Sequence, residues 1–378
     1  MTGLDGECER TWVEVNLGAI ETNVAYLERI IGPRTTLIAV VKADAYGHGA
    51  VEVTKACLKS GVRQFAVATV GEGVRLRRAG ICTPILVLGV SGPKDWENLF
   101  RWNLTATVSD WKTAQRLSHL GMNYGQRLPV HVKVDTGMGR LGVLYTQGAE
   151  FAQKVAELPG LVVEGMYSHL SCAEEDAAQT ERQLSRFRGV MEALHNRGLR
   201  FSCYHIANSA GTLKYPESRL DAVRVGLALY GLYPDPGLVP VLSWKARVCE
   251  VKEVPGGWGI GYGHLYRTAC RTRIGVIPVG YADGYTRRVA GKAKVLINGQ
   301  LFPVVGNICM DQLMVELGDA PVDVGDTVVL IGRQGEQVIS AQDLATWSNT
   351  ISYEVVCAIG QRVPRCYSHS LPAAPSPA

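Results

Sequence analysis

The hydrophobic positions of the 378-residue chain are grouped into short apolar runs that alternate with longer amphipathic segments. Eight such runs recur at intervals of roughly 20 to 40 residues, as expected for the strands of a parallel α/β fold. They lie at 37–41, 65–70, 85–88, 105–108, 130–134, 163–168, 204–207 and 222–227. Between them, apolar residues follow the 3.6-residue period of a helix, for example within 149–158. Eight strand–helix units predict an α/β fold with a TIM-type (β/α)8 barrel.

The pattern changes near residue 240 to short alternating strands separated by turn residues. Asn298-Gly299 lies between two such runs, and this dipeptide is a strong signal for a two-residue hairpin. We therefore expect a barrel over 12–240 and a mainly antiparallel β domain over 241–367. The run 11–15 precedes the first helical segment and predicts an extra strand outside the barrel, free to join the β domain. Residues 368–378, which end in Pro, Ala and Ser, are predicted to be a disordered tail.

Composition and charge favour a globular enzyme over a nucleic-acid-binding or membrane protein. Hydrophobic residues make up 47% and charged residues 20% of the chain, and 39 basic against 35 acidic residues give a net charge of +4. The basic residues form no block that would bind a phosphate backbone, and no apolar run approaches the roughly 20 residues that span a bilayer. The first residues lack the basic and apolar regions of a signal peptide, so we expect a cytoplasmic protein.

The ten cysteines are scattered, without a C-x-x-C pair or a Cys/His cluster at zinc spacing. We expect reduced and mostly buried thiols, and no metal site. Candidate chemistry therefore has to come from other side chains.

The first candidate is Lys42, in the segment 39–49 that follows the first predicted strand. Active sites of such barrels lie at the carboxyl ends of the strands, so this amine is expected to face a shared cavity. Once partial desolvation lowers its pKa, a lysine can form a Schiff base with an aldehyde cofactor. On position alone, Lys42 could instead be a side chain that extends from a strand end to solvent.

Polar residues also follow later predicted strands, which a purely structural core would not require. They occur in the segments 132–142, 167–170, 205–211 and 222–231. Strands seven and eight of such barrels commonly hold a phosphate, which suits the hydroxyl of Ser209 and the backbone amides near Gly226. For Ser209 alone, a turn hydroxyl bonded to its own backbone is an equally good interpretation.

These segments belong to a larger set of motifs: KADAYGHG, DTGMGRLG, HIANSAG, RVGLALYG, GYADGY, CMDQ and SYEV occur in this order. Together they resemble the motifs of bacterial alanine racemases, from about Trp12 to Val363. The resemblance implies a pyridoxal-phosphate (PLP) enzyme of fold type III that interconverts L- and D-alanine through an imine between cofactor and substrate. It also implies a homodimer whose active sites are shared between subunits, and a role in D-alanine biosynthesis for cell-wall precursors.

The same resemblance implies roles for individual residues. Lys42 would carry PLP and act as the base on one face of the substrate, and Tyr262 of the second subunit would be the base on the other face. Arg224 would face the pyridine nitrogen, and His169 would lie beside the ring and connect to Arg224. Further cofactor contacts are implied for Tyr46, Asn208, Ser209, Gly226, Leu227 and Tyr353. The substrate carboxylate would be held by Arg140 and the backbone of Met310, and the same region would be lined by Tyr281 and Asp311.

These residue types suit racemisation, which needs proton transfer on both faces of the α-carbon. Tyrosine has a reference pKa near 10, so Tyr262 requires a stabilising donor such as His169 or nearby positive charge. An arginine opposite the pyridine nitrogen donates a hydrogen bond without losing its proton, which makes the cofactor a weaker electron sink. We expect Arg224 to suppress transamination and other side reactions in this way.

Lys133 alternates with the valines of the run 130–134, so its side chain is predicted on the opposite face, in the barrel interior. A buried ammonium requires an anionic partner, and Asp135 or a carboxylate elsewhere is the simplest one. The family resemblance instead implies a carbamylated Lys133, an anion that orients Arg140.

Two positions depart from the family pattern near the substrate entrance: Gly261 stands where serine is usual, and Asn307 where arginine is usual. Both put the substrate range in question. Arg287 could retain part of the positive charge of the entrance, or could be a solvated loop residue. The alternative function is a serine or broad-specificity racemase of the same fold, although the bulk of Tyr353 favours the methyl group of alanine.

Other functions are less compatible with the sequence. A decarboxylase of similar architecture is expected to place an acidic residue at the pyridine nitrogen, so Arg224 counts against it. A non-catalytic PLP carrier needs only the barrel, so the β region and Tyr262 count against that function. A structural β-domain adaptor would bind no cofactor at all.

Overall fold

Eight parallel strands form a barrel in the N-terminal part of the computed structural model, which describes residues 10–370. The barrel strands are Thr36–Val40, Gln64–Val67, Ile85–Val87, Ala106–Val108, Leu128–Asp135, Leu161–Tyr167, Cys203–His205 and Ala222–Val225. The eighth strand pairs with the first, and a parallel bridge between Leu86 and Thr105 joins the third to the fourth. The barrel is therefore nearly closed, and all eight predicted runs contribute a strand to it, which confirms the predicted fold class.

Helices lie around the barrel, and several of them begin at a residue whose side chain caps the first turn. They are Leu17–Ile31, Ala50–Lys59, Val70–Arg78, Trp96–Arg101, Trp111–Tyr124, Tyr145–Ala156, Ala177–His195 and Ser209–Lys214, with short 3-10 helices at Pro216–Ser218 and Leu227–Tyr230. Asn16, Asp110 and Asp176 each accept a backbone N–H of the first turn that has no partner within its helix. The helix Tyr145–Ala156 buries Ala152 and Val155, as its apolar spacing predicts.

The second sheet has ten strands and is mainly antiparallel, as predicted for the C-terminal domain. Its strands are Thr11–Asn16, Leu242–Arg247, Glu250–Val254, Thr272–Ile277, Lys294–Ile297, Gln300–Val305, Leu313–Gly318, Thr327–Gln334, Gln337–Ile339 and Arg365–Ser368. Asn298 and Gly299 both have positive φ, at 50° and 78°, and join Lys294–Ile297 to Gln300–Val305 as a hairpin. Both residue types tolerate that conformation, which is why the dipeptide identified the turn.

The two ends of the described chain meet in this sheet. Thr11–Asn16 pairs antiparallel with Leu242–Arg247 and parallel with Arg365–Ser368, so the extra N-terminal strand is part of the β sheet. The prediction that disorder begins at residue 368 is wrong at that position, because Ser368 pairs with Asn16. Residues 371–378 of the predicted tail lie outside the described residues.

The C-terminal domain also contains two helices that the strand pattern did not predict, Ala341–Ser348 and Ser352–Cys357. Ser340 and Asp343 form a capping box at the start of the first one. Among residues 10–370, no helix combines the length and the apolar character needed to cross a membrane.

The two faces of the strand Leu128–Asp135 show why the barrel interior can hold polar groups. Val130, Val132 and Val134 are fully buried, and Val134 faces the outer helix that carries Gly148. The alternating side chains point inward, and Lys133 lines the cavity at the barrel mouth, as predicted. Apolar packing outside the barrel thus stabilises a strand whose inner face is free for chemistry.

Candidate active site

A cavity of about 530 Å³ lies at the carboxyl ends of the barrel strands. Its wall consists mostly of residues from the strand ends and the loops that follow them, and the helix Ser352–Cys357 adds Tyr353 and Cys357 from the other domain. The residues predicted from the sequence that line it together are Lys42, Tyr46, Lys133, Arg140, His169, Asn208, Ser209, Arg224, Gly226, Leu227 and Tyr353. Residues far apart in the chain thus meet because parallel strands end on one side of the barrel.

Lys42 stands directly before a left-handed turn. The first barrel strand ends at Val40, and the four residues 43–46 then have φ between 50° and 54°. None of them is glycine, and each left-handed residue with a side chain costs about 1–2 kcal/mol. One left-handed turn separates Lys42 from Tyr46, and both side chains line the cavity. Two side chains tie the turn to its surroundings: Glu72 accepts the N–H of Ala43, and Asp44 of the turn itself accepts the N–H of Ala50.

The amine of Lys42 is held in a form suited to imine chemistry. Burial lowers its pKa, and the positive charge of Arg140 lowers it further. The fraction of neutral, nucleophilic amine at neutral pH is raised in this way. Burial raises the pKa of Tyr46, so its phenol stays protonated and can donate a hydrogen bond to an anion in the cavity.

Arg224 forms a hydrogen-bond network at the floor of the cavity. Its guanidinium donates to Nδ1 of His205 at 2.7 Å, to Nδ1 of His169 at 2.9 Å and to the backbone oxygen of Ser168 at 2.7 Å. Tyr167 stacks on His205, with ring centroids 4.8 Å apart. Burial lowers the pKa of Arg224 to about 10, so it remains a cation at neutral pH.

The guanidinium fixes the proton positions of the histidines around it. Because Arg224 can only donate, Nδ1 of His169 and Nδ1 of His205 must both accept. The proton of His205 therefore lies on Nε2, which is 2.9 Å from Nδ1 of His131 and donates to it. Burial and the charge of Arg224 keep the pKa of His169 well below its usual value. His169 is thus a neutral ring whose Nε2 carries a proton to donate.

Ser209 and Gly226 form a small cradle beside Tyr46. The hydroxyl oxygen of Ser209 accepts the N–H groups of Gly226 and Ala228, both at 3.2 Å, so its own proton is free to be donated to an anion. A Cβ on Gly226 would lie 2.5 Å from the hydroxyl oxygen of Tyr46, so only glycine fits there without a shift. Asn208 serves as the N-cap of the helix Ser209–Lys214. The cradle therefore combines hydroxyl donors with close backbone approach, as phosphate sites do.

Lys133 has no anionic partner among the described residues. The carboxylate of Asp135, its predicted simplest partner, instead accepts the backbone N–H groups of Gly137, Met138 and Gly139. The ammonium nitrogen lies 4.2 Å from the centroid of the Tyr167 ring. Burial holds the pKa of this amine well below its usual value, which favours its neutral form relative to that of an exposed lysine.

Four predicted residues lie outside the cavity, on the surface of the C-terminal domain: Tyr262, Tyr281, Met310 and Asp311. Tyr262 is 72% exposed and follows the strand Gly259–Ile260 in a two-stranded hairpin. The nearby Trp258 and Leu265 are exposed as well. Within one chain, the second predicted base is therefore not brought to the amine of Lys42.

The two positions that depart from the family pattern both contact the Tyr262 loop. Gly261 has φ 68°, where a side chain would be strained. The amide of Asn307 donates to the backbone oxygen of Tyr262 at 2.8 Å. Arg287 is exposed in the short helix Arg287–Val289. Gly261 and Asn307 therefore shape the loop of the predicted second base rather than the cavity.

Several residues of the site were not predicted individually. Tyr167 and His205 were quoted only within motifs, yet each is the last residue of a barrel strand, which is the signal that could have identified them. Cys357 lies four residues after Tyr353 on one helix, and this spacing places both on the cavity face. His131 left no such signal, because it alternates with valines like any inward-facing side chain.

Comparisons with known proteins agree with this geometry. Family models described as "Alanine racemase, N-terminal domain" and "Alanine racemase, C-terminal domain" match residues 15–234 and 241–367. The alanine racemase of Symbiobacterium thermophilum is 46% identical over 373 residues, which cover 96% of this chain and 98% of that protein.

Solved structures are similar over the same extent. Alanine racemase from Bacillus anthracis with bound L-Ala-P superposes with a TM-score of 0.91 at 38% identity, covering 97% of both chains. Alanine racemase of Clostridium difficile 630 gives a TM-score of 0.91 at 37% identity, covering 96% of this chain and 97% of that one. The resemblance drawn from the motifs is confirmed, and the chain belongs to the alanine racemase family.

Proposed function

We propose that this cavity binds pyridoxal phosphate through Lys42 and that the chain interconverts L- and D-alanine there. The observation that carries the proposal is the pairing, in one cavity, of a lysine with a lowered pKa and the buried cation Arg224. The racemases to which the chain is similar are named for alanine, which favours alanine over serine or a broad substrate range.

The residues present fit the cofactor. The phosphate has candidate donors in the hydroxyls of Ser209 and Tyr46, which lie beside Gly226, where the absence of a side chain leaves room for close approach. Asn208, Leu227 and Tyr353 line the same cavity and would complete the binding site. Arg224 would donate to the pyridine nitrogen, and Lys42 would supply the amine that holds the aldehyde carbon.

When bound, the cofactor would delocalise the negative charge that proton removal leaves on the α-carbon. The protein has to hold and move the proton. Lys42 would take it or return it on one face. His169, neutral and with Nε2 as a donor, is suited to stabilise a phenolate on the other face. Arg224, which keeps its own proton, would leave the pyridine nitrogen unprotonated and limit side reactions.

The substrate would be oriented by its carboxylate. Arg140 is exposed at the rim of the cavity, where an incoming carboxylate can pair with it. The backbone of Met310 would be the second contact, and Tyr281 and Asp311 would line the same region. We further propose that Lys133 is carbamylated: burial lowers the pKa of this amine and favours the neutral form, which adds to carbon dioxide and releases a proton to solvent, and the resulting carbamate would give Arg140 an anionic partner. Electron density beyond Nζ at high resolution would test it.

The second base would come from another copy of the chain. Tyr262, Met310 and Tyr281 are all large side chains exposed on one domain, together with Trp258 and Leu265. Exposed apolar residues grouped in this way mark an interaction surface. A homodimer that places Tyr262 of the partner subunit at the mouth of the barrel would complete the site. We place the reaction in the cytoplasm, with D-alanine as a cell-wall precursor.

The test is to supply L-alanine to the PLP-loaded protein in deuterated water and to follow D-alanine and deuterium at the α-carbon. Lys42→Ala should abolish both. Tyr262→Phe should remove the exchange that starts on one face while leaving cofactor binding intact, because the proposed cofactor contacts all come from other residues, which line the cavity of one chain. Faster turnover of serine than of alanine would overturn the substrate assignment. Absence of D-alanine with bound cofactor would overturn the reaction.

A further inference from the structure

The left-handed turn after Lys42 raises the question of what holds it. Residues 43–46 all have φ near 50°, and Gly47 continues with φ 79°. Four consecutive side-chain-bearing residues in this conformation are unfavourable by themselves, and single left-handed residues are the usual occurrence. The turn therefore depends on contacts from outside its own backbone.

His48 supplies the most buried of these contacts. Its ring is fully buried, and Nδ1 lies 2.9 Å from the backbone oxygens of both Ala45 and Tyr46. Carbonyl oxygens can only accept, so Nδ1 carries the proton and donates to both. Nε2 is then a buried acceptor without a partner among the described residues. Burying an unsatisfied ring nitrogen costs free energy of folding. The two hydrogen bonds from Nδ1 to the turn offset that cost.

Tyr230 connects the ring to the strand before Lys42. Its ring lies 4.6 Å from that of His48 and 4.9 Å from that of Tyr46, between centroids. Its hydroxyl donates to the backbone oxygen of Val40 at 2.8 Å. Tyr230 therefore holds the end of the strand and His48 holds the turn, and Lys42 is the residue between the two attachments.

We propose that His48 is a positioning residue: through its Nδ1–H it keeps the turn 43–46 left-handed, and it thereby directs the amine of Lys42 and the hydroxyl of Tyr46 into the cavity. The functional value of this positioning rests on the proposed function, since PLP would be the group that both side chains hold. The hydrogen bonds from His48 to the backbone oxygens of Ala45 and Tyr46, here called the clamp, do not depend on the cofactor. No role is assigned to His48 in the chemistry, because its ring does not line the cavity.

Two substitutions at position 48 distinguish the effect of the Nδ1–H donor from the effect of the volume of the ring. His48→Leu fills the space without a donor, whereas His48→Asn places an amide N–H where Nδ1 stands. The apo-protein is titrated with PLP, and the imine absorbance gives the affinity. We expect His48→Leu to bind PLP about 10- to 100-fold more weakly, for the loss of two buried hydrogen bonds. We expect His48→Asn to stay within about threefold of the wild type.

A second substitution tests whether the turn is what the donor supports. Ala43 is exposed and has φ 50°, so Ala43→Gly relieves backbone strain while removing only one exposed methyl group at the cavity wall. In the His48→Leu background it should restore PLP affinity severalfold and raise the unfolding temperature. Ala178→Gly is the matched control, because Ala178 is exposed on the helix Ala177–His195, where the backbone is ordinary. It should restore neither.

The outcomes distinguish failure of the proposed role of His48 from failure of the proposed PLP function. Additive effects of His48→Leu and Ala43→Gly on unfolding free energy and PLP affinity, or equal affinity of the Leu variant and the wild type, would overturn the proposal. If His48→Leu does not fold, recovery of soluble protein by Asn or by Ala43→Gly supports it, and recovery by neither overturns it. A wild-type protein that binds no PLP would instead refute the proposed function, while the unfolding measurements would still decide the clamp.

Discussion

Gly226→Ala is the smallest change that tests the phosphate cradle. The added Cβ would lie 2.5 Å from the hydroxyl oxygen of Tyr46 and 3.0 Å from its Cζ. Both are far inside van der Waals contact, so one group has to move by several tenths of an ångström. Tyr46 has little room to withdraw, because its ring packs at 4.9 Å from that of Tyr230 and its backbone belongs to the left-handed turn.

The size of the effect follows from that geometry. Overpacking by one methyl group in a close-packed site costs about 1–3 kcal/mol. If the cost falls on the bound state, PLP affinity drops by roughly 5- to 150-fold. If it falls on the folded apo-protein, the unfolding temperature drops by at least a few degrees, since about 1 kcal/mol corresponds to roughly 2–4 °C in a domain of a few hundred residues. The loss of PLP binding free energy and the loss of unfolding free energy should together equal the overpacking cost of about 1–3 kcal/mol.

The assay combines PLP titration of the apo-protein with thermal unfolding, for Gly226→Ala, Tyr46→Phe and the double variant. Removing the Tyr46 hydroxyl takes away the nearest clashing atom, so the double variant should lose less than the sum of the two single losses. Gly189→Ala is the control: a Cβ there meets nothing within 4 Å, and it lies inside a helix, so stability should rise slightly. Unchanged affinity and unfolding temperature in Gly226→Ala, or strict additivity in the cycle, would refute the reasoning.

Two further predictions concern buried charge. Burial lowers the pKa of His48 and of His131 from about 6.5 to about 4, so between these values the unfolded chain binds more protons and the unfolding free energy falls as pH is lowered. Each ring should lower the unfolding free energy by about 2–3 kcal/mol between pH 7 and pH 4.5. In urea unfolding, His131→Asn should lose less of this free energy over that pH range than the wild type, whereas the exposed control His195→Gln should lose as much as the wild type. Asp283 is fully buried and accepts from the guanidinium groups of Arg10 and Arg362. Asp283→Ala should destabilise the protein by about 3 kcal/mol, and an unchanged unfolding temperature would contradict this.

The barrel could be predicted because its signals are local. Each strand is a short apolar run, and the outer helices have an apolar stripe, in several cases after a polar capping residue, that can be recognised within about 15 residues. The hairpin at Asn298-Gly299 followed from two residues that tolerate positive φ. The helix Ser352–Cys357 was missed because six residues carry too little periodicity, and Ser368 because its strand depends on a partner at residue 16, more than 350 positions away.

The site could be predicted residue by residue only where a motif carried it. Lys42, Arg224 and Ser209 stand in motifs at strand ends, and they meet in the cavity as expected. The left-handed turn, the inward histidine His131 and the isolation of Lys133 from Asp135 depend on three-dimensional packing, for which neither spacing nor composition gives a signal. The family resemblance implies the reaction, and the structure shows which side chains contact and position the proposed site residues.

The most direct test of the central claim is a hybrid of two inactive variants, Lys42→Ala and Tyr262→Phe. If each site combines the lysine of one subunit with the tyrosine of the other, a hybrid dimer contains one site with both bases intact. Subunits mixed at equal amounts should then recover about a quarter of the wild-type racemase activity, since about half of the dimers are hybrids with one working site. No recovery, in hybrids shown by mass to have formed, would contradict an active site shared between two chains.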